Sequence, residues 1–164
     1  MEETNSRRGP EAKWRRIAIV LTILLAVAIV LGVLRIASLT GQLARICEFS
    51  KAGVRGALLS LGDRAQAGAR DAYMNQWPSA AQALGVLKDC PLSSEEHSLY
   101  WDIQRLVLFG TYPDIWSNQT HLDVFGTGLT EIGYELYDVS YPRDAIARTA
   151  QLFTDLEGLG YIVP

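Results

Sequence analysis

Histidine and cysteine, on which most metal sites and many nucleophilic active sites depend, are nearly absent from this sequence. The chain has only two of each among 164 residues. No His-Glu-x2-His pattern, phosphate-binding loop or Gly-x-Ser-x-Gly elbow is present, and these patterns mark zinc proteases, nucleotide sites and serine hydrolases. We therefore expect no catalytic residue, no metal ligand and no cofactor, with an enzyme of unrecognised type as an alternative.

The two histidines do have carboxylates nearby in the sequence. His97 follows Glu95 and Glu96, and His121 lies two residues before Asp123. Acidic residues in the first turn of a helix ordinarily serve its cap and its dipole, and this is the role we expect for Glu95 and Glu96. The pattern therefore does not indicate a metal site.

Sustained alternation of polar and apolar residues, which marks half-buried strands, is also absent, so we expect essentially no β-sheet. A basic patch is missing as well. Residues 89–164 contain three basic and twelve acidic residues, a net charge of −9. Because phosphate binding requires clustered Lys and Arg, this acidity argues against a nucleic-acid partner.

Charge is absent from one long segment, Ile17 to Leu34, which is apolar apart from Thr22. At about 1.5 Å per residue, a helix of this length spans about 27 Å, close to the hydrocarbon thickness of a bilayer. A backbone in lipid must satisfy its own hydrogen bonds. We therefore predict a transmembrane anchor helix over 17–34, after a disordered cytoplasmic tail over 1–16. A connector over 35–40 then leads to an extracytoplasmic helical domain over 41–164.

Basic residues next to the apolar segment predict its orientation. They are held on the cytoplasmic side of a membrane, where tryptophan settles at the level of the headgroups. We expect the bilayer to be a partner and the N-terminus to be cytoplasmic, with five residues anchoring the membrane interface: Lys13, Trp14, Arg15, Arg16 and Arg35.

Two alternatives concern the same segment. A cleaved signal peptide would have a shorter apolar region followed by a small-x-small cleavage site, and residues 36–41 offer no good site of this kind. Ala28 and Gly32 form a small-x3-small pair that can support helix pairing in lipid. A homodimer through this pair is an alternative that we do not favour.

From Gly41 onward, the apolar spacing is that of helices. One face of the first helix is predicted to carry Leu43, Ile46, Cys47, Val54, Ala57, Leu58 and Leu61. Gly62-Asp63 is predicted to interrupt this helix, and a second helix runs to about Gln76. Because proline disfavours helix in the residue before it, Trp77-Pro78 is predicted to open a new helix that ends near Cys90.

The strongest helix signal is the capping box formed by Ser93 and Glu96. The stripe that follows should be buried, with Gly110 as the stop; it contains Leu99, Ile103, Leu106 and Val107. We expect a short helix around 115–125, with Gly126 and Gly128 in turns, and helical spacing again over 129–136. Pro142 is predicted to open the last helix, whose inward residues are Ile146, Ala150, Phe153 and Leu156.

A faint repeat supports an arrangement of helical hairpins. Tyr73-x3-Trp77-Pro78 aligns with Tyr137-x3-Tyr141-Pro142 at a spacing of 64 residues, and the same spacing aligns Leu58-x3-Gly62 with Leu122-x3-Gly126. Such spacing suits stacked hairpins. The predicted fold class is therefore all-α, a transmembrane helix followed by a small helical-hairpin bundle with solenoid-like features.

The two cysteines, Cys47 and Cys90, leave two arrangements open. If the chain turns near Gly62 or Gly68 and runs back as one kinked helix, the thiols meet, and a disulfide would persist outside the cytoplasm. If Trp77-Pro78 is a true turn, the Cα atoms lie beyond the roughly 7 Å that a disulfide spans. We slightly favour the disulfide.

The leading functional hypothesis is a membrane-anchored interaction or scaffold module that is accessory to a membrane or envelope complex and binds a protein partner. An extracytoplasmic ligand sensor that signals through a partner is the alternative. Trp101, Tyr112 and Trp116 are the candidate partner or ligand surface, although aromatic residues are more often part of the core.

Overall fold

The computed structural model describes residues 8–137 and 141–163, with side chains from Trp14 onward, and every regular element in these ranges is helical. Five α-helices and one 3-10 helix follow one another: α1 (Arg8–Gln66), α2 (Arg70–Leu87), α3 (Ser94–Phe109), the 3-10 helix (Pro113–Ser117), α4 (Gln119–Glu135) and α5 (Arg143–Gly158). The predicted all-α class, with one long apolar N-terminal helix and a helical bundle, is confirmed.

Contacts divide the chain into two compact units, residues 1–43 and residues 44–164. Helix α1 begins at Arg8, so the prediction of an irregular tail is wrong for residues 8–16; residues 1–7 lie outside the described part. Pro10 is in the first turn, where a missing N–H costs no intrahelical bond. The helix can therefore extend backwards from the apolar segment at little cost.

The second unit opens with an α1–α2 hairpin whose turn lies at 67–69. Gly68 has φ +65°, a left-handed conformation that glycine adopts readily. The predicted interruption at Gly62-Asp63 is wrong, because α1 continues through both residues to Gln66. Gly62 is buried in the helix, where the absence of a side chain admits a neighbouring backbone.

Helix α2 runs without interruption through Pro78, so the predicted new helix at Trp77-Pro78 is wrong. A proline inside a helix costs one backbone hydrogen bond and some steric strain. Four residues of α2 are buried on both sides of the proline: Tyr73, Ala80, Leu84 and Leu87. Their burial stabilises the continuous helix despite that cost.

Helix α3 matches its prediction closely. Ser93 accepts a hydrogen bond from the Glu96 N–H, and the Glu96 carboxylate accepts one from the Ser93 N–H, so the capping box is confirmed. Gly110 is the C-cap, as predicted. The predicted stripe is buried in full: Leu99, Ile103, Leu106 and Val107 are each 2% exposed or less.

The remainder of the domain differs from its prediction in helix boundaries. A 3-10 helix and the long α4 replace the predicted short helix at 115–125, and Gly126 and Gly128 lie inside α4 and not in turns. Both glycines are buried against neighbouring helices, which explains why they belong to a helix. Helix α5 begins after Pro142, as predicted. Of its predicted inward residues, Leu156 is in the core, Ile146 and Phe153 pack partly buried against it, and only Ala150 is exposed.

The second unit is a bundle in which α2 packs on α3, α3 on α5, and α4 on both α5 and the 3-10 helix. Five of the seven predicted stripe residues of α1 are in its core: Cys47, Val54, Ala57, Leu58 and Leu61. The prediction is wrong for Leu43 and Ile46, which are 41% and 53% exposed. Ser50 is buried instead, because it lies one turn after Cys47 on the same face.

Candidate functional site

The apolar segment of α1 has its large side chains exposed. Between Ile17 and Leu34 these side chains are 48% to 63% exposed. In the described part of the chain, α1 is the one helix long and apolar enough to cross a membrane, and none of its apolar window is buried. A signal sequence near an N-terminus shares these properties. Thr22 donates its hydroxyl to the Ala18 carbonyl at 2.8 Å, so the polar group of the segment is satisfied within the helix.

The predicted interface anchors lie at both ends of that segment. Trp14 is 71% exposed, and Arg15, Arg16 and Arg35 are exposed as well. The side chain of Lys13 lies outside the described part. The same helix carries Ala28 and Gly32, and a Cβ added at Gly32 would meet nothing within 4 Å.

Cys47 and Cys90 are joined by a disulfide, and their Cα atoms are 5.8 Å apart. The structure has the first of the two arrangements considered from the sequence, in which α2 runs back along α1 as one helix containing Pro78. Both cysteines are only 5% exposed. The bond closes the open end of the α1–α2 hairpin.

A polar cluster joins three parts of the domain one turn after Cys47; it consists of Lys51, Glu96, Tyr100 and Tyr141. The Lys51 ammonium donates to Glu96 Oε1 at 3.0 Å, and the Tyr141 hydroxyl donates to the same oxygen at 2.8 Å. The hydroxyls of Tyr141 and Tyr100 are 2.9 Å apart. Glu96 thereby connects α1, α3 and the segment that precedes α5.

Burial alone would raise the pKa of the Glu96 carboxyl, but the hydrogen bonds from Ser93, Lys51 and Tyr141 outweigh it and lower the pKa to about 2. Burial opposes the charge of Lys51, but Glu96 raises the pKa of its ammonium. Burial, together with Tyr100 and Glu96, raises the pKa of the Tyr141 hydroxyl. The cluster is therefore a stably ionised pair at neutral pH and has no group poised for proton transfer.

The three predicted surface aromatics lie in different surroundings. Trp101 is 58% exposed on α3, with the Lys88 ammonium 5.7 Å from its ring centroid. Trp116 is half-buried, packs edge-on against Tyr73 and donates its indole N–H to the Gly110 carbonyl at 2.9 Å. Tyr112 is 41% exposed and packs against Phe109. Trp116 thus belongs to the core edge, and Trp101 is the most exposed of the three.

Trp101 forms one wall of a cavity of about 290 Å³ between α2 and α3. Leu84 and Leu87 also line it and are 2% and 1% exposed. Three polar side chains complete the lining with Tyr100, namely Lys88, His97 and Gln104. No local sequence pattern indicates this cavity, because its two sides are contributed by separate helices.

A second concavity, of about 360 Å³, lies between α4 and α5. Its walls carry Asp123, Glu131 and Asp155, and Arg148 forms an ion pair with Glu131. Gly128 faces Leu152 there, so the two helices approach closely. The cleft is acidic, in agreement with the charge of this half of the chain.

The two histidines lie apart from any cluster of metal-ligating side chains. Within residues 14–137 and 141–163, no group of three His, Cys, Asp or Glu side chains is arranged to hold a metal ion. His121 Nδ1 is 2.8 Å from the Tyr161 hydroxyl, and its Nε2 is 3.2 Å from Asn118 Nδ2. These contacts give His121 a structural role near the C-terminus.

Comparison with known proteins finds no matching family model, no matching curated protein and no matching solved structure.

Proposed function

We propose that the chain is a single-pass membrane protein whose extracytoplasmic helical domain acts as an accessory or scaffold module for a protein partner. The observation that carries the proposal is the charge-free segment of α1, exposed throughout, ahead of a bundle with its own core. The basic residues before the segment favour a cytoplasmic N-terminus. The Cys47–Cys90 disulfide favours an oxidising compartment for the domain.

The partner surface that we propose is the Ile46–Phe49 patch, formed by these two side chains of α1. They are 53% and 80% exposed and lie three residues apart, on one side of the helix. Cys47 and Ser50 are buried on the adjoining face of α1, about 100° around the helix axis from the patch, so the packing of these turns leaves the two apolar side chains at the edge of the buried face. Ridges of large apolar side chains on a helix suit another helix, so the occupant is a helix of a membrane-associated partner protein.

Site-specific photo-crosslinking of the full chain in native membranes tests this surface. A crosslinking residue at Phe49 should yield one discrete heavier adduct. The same residue at Tyr134, which is 65% exposed on α4, should yield none. With the crosslinker at Ile46, Phe49→Asp should remove the adduct, since a charge in an apolar interface is costly. Adducts with lipid alone would show that the patch faces the bilayer, and an adduct of twice the mass of the chain would show self-association. Either result would contradict a different protein as the partner.

The orientation has its own test. Protease added to intact cells or spheroplasts should digest the domain and spare an amino-terminal tag, and the mature chain should retain the apolar segment. A protected domain would overturn the orientation. A mature protein that begins near Ser38 would show cleavage and replace the anchor with a signal peptide.

A ligand sensor that signals through a partner is the second candidate. The observation in its favour is the cavity between α2 and α3, whose floor is apolar and whose rim is polar. Pockets of this composition are typical of small-molecule sites. Two measurements separate the candidates. Co-purification of a partner in a pull-down from gently solubilised membranes favours the scaffold. Recovery of the chain alone, with a melting temperature that shifts when ligand is added, favours the sensor.

A further inference from the structure

The α2–α3 cavity has the size of a site for one small molecule. Its volume of about 290 Å³ is near the lower end of the roughly 300–1,000 Å³ found for ligand pockets. A ligand with a single ring fits such a volume. The cavity is formed within the bundle and does not depend on the membrane anchor or on the Ile46–Phe49 patch.

The inner part of the cavity favours a flat apolar body. Leu84 and Leu87 contribute buried apolar surface, and the Trp101 indole adds an aromatic wall. Aromatic rings pack on one another in offset or edge-on arrangements that stabilise beyond the area they bury. Trp101 is 58% exposed without a ligand, so a bound ring would cover apolar surface that now faces solvent.

The rim of the cavity favours a negative charge. Lys88 lines it together with His97 and Gln104, and no Asp or Glu is among the lining residues. This is notable because residues 89–164 carry twelve acidic residues against three basic ones. In the part of the chain that the structure describes, no carboxylate forms an ion pair with Lys88, whose ammonium lies over the Trp101 ring. The ammonium is therefore available to an anion.

We propose that this cavity binds a small aromatic carboxylate, an inference that does not depend on the scaffold function and that names the ligand class of the second candidate, the sensor. The ring of the ligand packs on Trp101 above Leu84 and Leu87, and its carboxylate accepts a charge-assisted hydrogen bond from Lys88. The Gln104 amide provides a further donor at the rim. Binding orders the exposed Trp101 side chain and covers it.

Benzoate is the probe, and the full chain in nanodiscs is the sample. Saturable benzoate-induced shifts are expected at the Trp101 indole N–H in NMR spectra. Lys88→Gln should weaken benzoate binding at least tenfold, a change of about 1.4 kcal/mol in the binding free energy, because the charge-assisted hydrogen bond is lost. Benzyl alcohol, which has the ring without the charge, should bind the parent and the Lys88→Gln chain equally.

Two further variants separate the cavity from the rest of the surface. Trp101→Ala should weaken the binding of both probes, because it removes the aromatic wall. Since this variant lacks the indole reporter, its binding is followed on the NMR signals of the probe itself. Arg148→Gln removes a cation from the α4–α5 cleft and should leave benzoate binding unchanged. The proposal fails if benzoate causes no saturable shift at Trp101, if Lys88→Gln binds it as tightly as the parent, or if Arg148→Gln is the variant that loses it.

Discussion

The carbonyl oxygen of Gly62 lies 2.7 Å from where a Cβ on Gly126 would stand, and the carbonyl oxygen of Gly126 lies 2.7 Å from the corresponding point on Gly62. Two buried glycines, 64 residues apart in the chain, thus bring the backbones of α1 and α4 together. The same two positions align in the faint sequence repeat. The repeat therefore includes a pair of positions that meet each other in space.

Replacing either of these glycines with alanine should destabilise the domain. The new Cβ would meet a backbone atom that no rotamer change can move, and overpacking of this kind typically costs about 1–3 kcal/mol. Gly56→Ala is the matched control, since a Cβ there meets nothing within 4 Å and alanine is the better helix former. Urea unfolding of the three variants should give losses for Gly62→Ala and Gly126→Ala and a small gain for Gly56→Ala. Equal stabilities would contradict the close crossing.

The disulfide should stabilise the domain through the unfolded state. Cys47 and Cys90 are 43 residues apart, and closing a loop of that length contributes about 4 kcal/mol on the chain-entropy model. The Cys47→Ala, Cys90→Ala double variant should therefore unfold at clearly lower denaturant concentration. Mass spectrometry of the non-reduced parent checks the bond itself, and two alkylatable thiols in the untreated parent would show that it does not form.

The Glu96 cluster predicts a loss of stability in acid. The pKa of this carboxyl falls from 4.5 to about 2 in the folded chain. The contribution of this carboxyl to the free energy of unfolding is therefore complete above pH 4.5 and is lost as the pH falls toward 2. At about 1.4 kcal/mol per pKa unit, the contribution at neutral pH is at most about 3 kcal/mol. Glu96→Gln should lose most of this at pH 7 and differ little from the parent at pH 2.

Glu48→Gln is the control for that experiment. Glu48 also lies near Lys51, at 3.5 Å, but its side chain is 75% exposed, whereas that of Glu96 is 15% exposed. Solvent-exposed ion pairs contribute little to the free energy of unfolding. A Glu48→Gln chain should therefore follow the pH profile of the parent. If Glu96→Gln follows it as well, the cluster does not stabilise the fold.

The buried stripe of α3 predicts a severe effect from one substitution. Ile103 is fully buried, so Ile103→Asp places an unpaired charge in the core and should cost several kcal/mol, a large part of the stability of a typical domain. Leu108→Asp, on the same helix at a position that is 42% exposed, should cost much less. Circular dichroism melting curves of both variants would show the difference, and similar curves would mean that Ile103 does not lie in the core.

Local features of the fold could be predicted from the sequence. The Ser93–Glu96 capping box lies within one turn, and its stripe repeats at helical spacing, so both the start and the buried face of α3 were recognisable. Long-range contacts were not. Glu96 bonds to Lys51 and to Tyr141, each 45 residues away, and no local pattern indicates such pairs.

The errors at Gly62, Pro78 and Gly126 have one physical origin. Each residue disfavours a helix when judged alone, and each lies inside a helix because tertiary packing outweighs propensity. Tertiary packing is also the reason that the sequence does not indicate the candidate site. Lys88 and Trp101 belong to different helices, and only the packing of α2 on α3 places them around one cavity.

The Cys47–Cys90 bond also determines how the domain responds to mechanical force. Tension applied between Cys47 and a residue beyond α5 passes through the sulfur atoms and bypasses the segment between the two cysteines. At about 3.5 Å per extended residue, the 43-residue separation keeps about 150 Å of contour length out of the load path. The end of α1 and all of α2 are therefore shielded from stretching while the bond is intact, whereas α3, α4 and α5 carry the load and unravel.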